Sequence, residues 1–80
     1  MSFAENLKAA RVKKLFSQAE LAQLVGVNQS AIARFELGDK FPNVILGHQI
    51  AKKLDVTVEQ LVDGQTVEVK SNADEESELV

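Results

Sequence analysis

Between Asn28 and Gly38 the chain carries Gln29, Ser30, Ala33 and Arg34. On a helix of about 3.6 residues per turn these four share one face. Two of them suit the edges of base pairs. An amide can bond adenine at two atoms, and a guanidinium can bond guanine at two atoms. Ala31, Ile32 and Phe35, with Glu36 beside them, fall on the opposite side. One face is greasy and the other is short or hydrogen-bonding. A helix built to hold an apolar ligand would show the reverse emphasis, whereas a helix built to lie in the major groove of duplex DNA would look like this one.

Other chemistries lack their parts. The chain has no cysteine, which removes disulfides, thiolate nucleophiles and cysteine-ligated metals. Its single histidine, His48, is a surface or packing residue in the plainest reading. A nucleophile at Ser17 or Ser30 would need a base, and His48 lies in another helix with no acid to orient it. No zinc, P-loop or dinucleotide motif is present. We therefore expect a non-enzyme without cofactor or metal.

The elements that would position the strip can be written from periodicity and caps. A first helix starts near Ser2, where Ser2 and Glu5 form a capping-box pattern, with Phe3, Leu7, Ala10 and Leu15 inward. A second runs from Ser17 to about Val25 behind a Ser17–Glu20 box, with Leu21, Leu24 and Val25 as its apolar stripe. Its Ala22 is small where another helix must cross closely, and Gly26 suits the left-handed turn that ends it. The third helix starts after the N-cap Asn28 and stops at Gly38. Leu21, Val27, Ile32 and Phe35 read as core. Phe41-Pro42-Asn43 breaks the chain before a fourth helix from about Val44 to Leu54, with Ile50, Ala51 and Leu54 inward and Gly47 as a weak point. A fifth opens at Thr57 with a Thr57–Gln60 box and closes at Asp63-Gly64, with Val58, Leu61 and Val62 as its apolar positions.

The net charge of −3 is unevenly spread. Residues 1–64 hold eight Lys/Arg and seven Asp/Glu, for +1, while residues 65–80 hold one Lys and five acids, for −4. Local patches matter for DNA, and the acid sits in the tail. The amino-terminal segment is charged and amphipathic, unlike a signal peptide. The longest uncharged run, Leu21 to Ala33, is too short and polar to span a bilayer.

Residues 7 to 62 resemble the helix-turn-helix domain of the Cro and phage-repressor family, the XRE type. The resemblance rests on Leu7, Arg11, Ser17-Gln18, Leu21-Ala22, Gly26-Val27, Ile32, Phe35-Glu36, Gly38, Pro42, Ala51, Leu54, Val56 and Leu61. It implies an all-α, five-helix bundle that binds a palindromic operator as a homodimer, with the third helix in the major groove. It implies base reading by Gln29, Ser30, Ala33 and Arg34, a phosphate contact at Gln18, and a structural Arg11–Glu36 pair. Asn28, Lys40 and Lys14 join Gln18 on the phosphate side. Two departures stand out. Gly47 and His48 occupy places where the family has larger apolar residues, and Asp39 follows Gly38 where a basic residue is common.

The domain division is residues 1–64 for DNA binding and 65–80 for an acidic tail. That tail reads either as disordered or as carrying a short dimerisation strand at residues 66–70. The function expected is a sequence-specific transcriptional regulator, a repressor, in a bacterial or phage-encoded cytoplasmic setting. The alternative is a protein-interaction module or antitoxin whose main partner is another protein, engaged through the tail. Truncation after Gly64 removes four net negative charges and is expected to tighten duplex binding at low salt, measured by fluorescence anisotropy.

Overall fold

In a computed structural model of the chain, residues 2–63 are described. The expected strand at residues 66–70 and the acidic tail lie outside them. Five helices follow one another: α1 Phe3–Lys13, α2 Gln18–Val25, α3 Gln29–Leu37, α4 Val44–Leu54 and α5 Val58–Val62. There is no strand among the described residues.

Each start has a local cause. Ser2, Ser17 and Thr57 accept from the backbone N–H three residues on, and Glu5, Glu20 and Gln60 reach back to close three capping boxes. Asn28 and Asn43 cap α3 and α4 with their side-chain oxygens. Two hydrogen bonds from Ser2, backbone first and side chain second, hold the Glu5 carboxyl below its ordinary value. The carboxylate's contribution is therefore present above the usual carboxylate range and lost as pH falls through the lowered value. Gly26 and Gly38 end α2 and α3 at φ of 78° and 82°, a conformation that costs a side-chain-bearing residue.

Helix α2 packs on α3 and α4, and α1 packs on α3 and α5, with α5 also against α4. Leu7, Leu21, Ile32, Ile50, Leu54 and Leu61 are fully buried, one or two from every helix. Each such side chain contributes roughly 1.5–3 kcal/mol by leaving water. Ala22 is buried, and Val27 is partly buried against the core. The ends of the bundle are tied by Asn6 of α1, whose side-chain amide donates to the carbonyls of Leu61 at 3.0 Å and Asp63 at 2.6 Å.

The apolar stripe departs from expectation at four positions. Leu24, Val58 and Val62 are exposed. Leu15, expected to face inward, lies beyond the end of α1 and is 87% exposed. The reason is backbone geometry. Helix α1 stops at Lys13, Lys14 caps it, and Leu15 turns at φ of 65° so that its N–H meets the Val12 carbonyl at 2.9 Å. That turn swings Phe16 inward against the core in its place. Asp55 also has a positive φ, but a short polar side chain tolerates it better than leucine does. Leu15→Gly is expected to stabilise the fold by about 0.5–1 kcal/mol, the strain relieved less the entropy glycine adds to the unfolded chain. Thermal unfolding followed by circular dichroism would read this as a midpoint about 4 °C higher.

Candidate nucleic-acid interface

Helix α3 turns Ile32 and Phe35 into the core. The same rotation places Gln29, Ser30 and Arg34 at the exposed surface, with Ala33 half-buried between them. Ser30 donates to the Asn28 side-chain oxygen at 2.7 Å, and that oxygen also accepts from the Ala31 N–H at 3.1 Å. The first turn of α3 is thus organised by the residue that starts it.

A second set of bonds reaches the strip from beneath. Arg11 grips Glu36 with two parallel bonds, Nε to Oε2 at 2.6 Å and Nη2 to Oε1 at 3.1 Å. Its remaining nitrogen, Nη1, donates to the Phe16 carbonyl at 2.7 Å. The side chains are only 11% and 4% exposed. Glu36 Oε1 accepts a further bond from Gln18 Nε2 at 3.1 Å, and Gln18 Oε1 accepts one from Gln29 Nε2 at 3.4 Å. A single chain of hydrogen bonds therefore runs from α1 through α3 and α2 back to the outer strip. Because Gln18 presents its oxygen to Gln29, the Gln29 amide is held with its nitrogen toward α2. One N–H and the whole carbonyl oxygen of Gln29 stay available.

Gln18 occupies the first position of α2, where backbone N–H groups attract anions. Lys14 and Lys40 are exposed on the segments flanking α2 and α3. Arg34 has Asp39 at 4.0 Å, a loose exposed pair. Leu37 was missed from sequence. It lies one turn beyond Ala33 and Arg34 and is 81% exposed, so the strip ends in an apolar side chain. Extending the helical phase past Arg34 finds it. No group of three or more His, Cys, Asp or Glu among the described residues is placed to hold a metal ion. No described helix is long and apolar enough to cross a membrane.

The helix-turn-helix family model matches residues 7–61, from within α1 to within α5. The chain belongs to the helix-turn-helix family of the Cro and phage-repressor type. This helix-turn-helix chain is 30% identical over 79 residues to the HTH-type transcriptional activator BcrR of Enterococcus faecalis, covering 99% of this chain and 39% of that one. It is 33% identical over 66 residues to an uncharacterised HTH-type transcriptional regulator, YqaE of Bacillus subtilis (strain 168), covering 82% and 57%. It spans less than two thirds of either relative. Among solved structures, the P22 c2 repressor in complex with a synthetic operator superposes with a TM-score of 0.77 at 29% identity, covering 81% of this chain and 98% of that one.

The buried pair predicts an asymmetric response in this helix-turn-helix domain. Glu36→Leu alone leaves the Arg11 guanidinium buried without its partner and should cost about 3–5 kcal/mol. Adding Arg11→Met should recover most of that loss. Urea unfolding of the two single variants and the double variant checks the sign of the coupling.

Proposed function

We propose that this chain is the DNA-reading unit of a transcriptional regulator, acting on double-stranded DNA as a repressor by occupying its operator. The observation that carries this is the exposed strip of α3 with Gln29 oriented by Gln18. A Gln29 amide with a free N–H and a free oxygen can meet adenine at N7 and N6 together. Arg34 can do the same for guanine, one turn further along the groove. Ser30 and Ala33 allow close approach between them, and Leu37 adds an apolar side chain at the strip's far end. Gln18, Asn28, Lys40 and Lys14 are the phosphate contacts that set register without choosing sequence.

Two copies acting together would read a palindrome with half-sites about one helical turn apart. The named relatives, both bacterial, support a regulator and not an enzyme, and the proposed setting is the bacterial cytoplasm. One observation favours the second reading, a module whose main partner is a protein. Asp39 lies 4.0 Å from Arg34 and Leu37 is exposed and apolar, and neither side chain attracts a phosphate.

Selection of bound duplexes from a random pool, followed by titration at rising salt, separates the two readings. A DNA reader returns a two-fold symmetric site, and its affinity falls with salt by about 0.9 log unit per decade for each phosphate neutralised. Lys40→Ala should lower that slope by about 1 while leaving preference intact. Gln29→Ala with Arg34→Ala should erase preference at the bases they meet, each worth about 1–3 kcal/mol. Duplex affinity left unchanged in that double variant would overturn the assignment.

A further inference from the structure

Leu37 ends α3 with its side chain in water. It is 81% exposed and is not among the residues packed against the core. It also stands outside the groove of about 550 Å³ between α4 and α5, whose lining includes Phe41, Ile45 and Gly47.

Its bearing is fixed all the same. At about 100° per residue, Leu37 falls between Ala33 and Arg34, in the middle of the strip that starts at Gln29. Glu36 before it is gripped by Arg11. After it, the N–H groups of Gly38 and Asp39 donate back to the carbonyls of Phe35 and Arg34 at 3.2 and 3.0 Å. The backbone is held on both sides of Leu37, so its isobutyl group shares the outlook of the strip.

An exposed leucine is ordinary in itself. This one stands in a row of side chains suited to base edges. One apolar side chain is too little for a stable protein interface, which takes about 800 Å² from each partner. Leucine has no donor for a phosphate oxygen and no group to bond a base. The major groove offers one apolar partner, the 5-methyl group of thymine. 5-Methylcytosine carries the same group at the same place.

We propose that Leu37 is a specificity-determining residue that packs on a pyrimidine 5-methyl group in the major groove. The inference rests on α3 being the reading helix. At about 1.5 Å per residue, Leu37 lies about 4.5 Å along the axis past Arg34. Successive bases of one strand are about 3.4 Å apart. The methyl group therefore belongs to the base pair next to the one Arg34 meets, on the side away from Gln29. Gln29 and Arg34 choose by hydrogen bonds, and Leu37 chooses by apolar contact one position further on.

The test uses the full chain and the duplex selected from the random pool, with affinity read by fluorescence anisotropy. The position to vary is the one beside the base pair whose preference Arg34→Ala erases, with thymine placed there. Deoxyuridine in its place removes the methyl group and keeps every hydrogen-bonding atom. That exchange should raise Kd about fourfold, the worth of one buried methyl-sized group. Leu37→Ala should bind the two duplexes alike. It should also keep the wild-type thermal midpoint, because the side chain it removes is exposed. A second pair of duplexes carries cytosine there, with and without its 5-methyl group. Discrimination in the deoxyuridine pair assigns thymine as the source of the methyl, and discrimination confined to the cytosine pair assigns 5-methylcytosine. The proposal falls if the wild type discriminates neither pair, or if Leu37→Ala discriminates as the wild type does. Both results leave the DNA-reading assignment standing, because they are read on a duplex already bound. Failure to select any duplex overturns that assignment and this inference together.

Discussion

The buried pair of Arg11 and Glu36 determines which way α3 faces. A helix of nine residues is too short to hold itself in water, so its place is set by what it packs against. Ile32 and Phe35 supply the attraction, but apolar contacts tolerate rotation. The two-pronged grip on Glu36 does not, because guanidinium and carboxylate must remain coplanar at both ends. Replacing such a pair by apolar residues often leaves a protein as stable as before. Its value here is angular. It sets the rotation of α3 and extends through Gln18 to Gln29, so that a side chain at the surface inherits its orientation from the interior.

The surface divides into regions of different character. The outer strip of α3 is hydrogen-bonding, with Arg34 as its one cation and Asp39 close beside it. The groove between α4 and α5, with Phe41, Val44, Ile45, Val58 and Val62 in its lining, has no Asp, Glu, Lys or Arg among its lining residues. These surfaces begin within a few residues of one another, at the carboxyl end of α3. The loop from Gly38 to Pro42 joins them, with Lys40 exposed and Phe41 in the lining of the groove.

Much of the architecture was legible because its signals are local. A Ser or Thr with Glu or Gln three residues later marked three helix starts, and Gly26 and Gly38 marked two ends. Features that depend on three-dimensional closure were not. Leu15 continues the periodicity of α1, and nothing in its neighbours announces that the backbone turns left-handed there. Asn6 lies between Phe3 and Leu7, and no spacing in the sequence signals its bonds to the carbonyls of Leu61 and Asp63. Gln18 was legible as a residue at a helix start, but its bonds to Glu36 and Gln29 join three helices and have no sequence spacing of their own. The groove needed two helices and a loop in place before the lack of a side chain at Gly47 could become a space.

Asn6 also bears on the entropy of folding. The contacts among α2, α3 and α4 join segments near in sequence, whereas Asn6 joins positions 55 and 57 residues apart. Among the side-chain hydrogen bonds of the described residues these two close the longest loops, and so carry the largest loop-closure entropy. Helix α5 is five residues long and buries one side chain, Leu61, the fewest of the five helices, so by that measure it opens most readily. The molecule can thus fray at its seam while the helix that faces outward keeps its bearing.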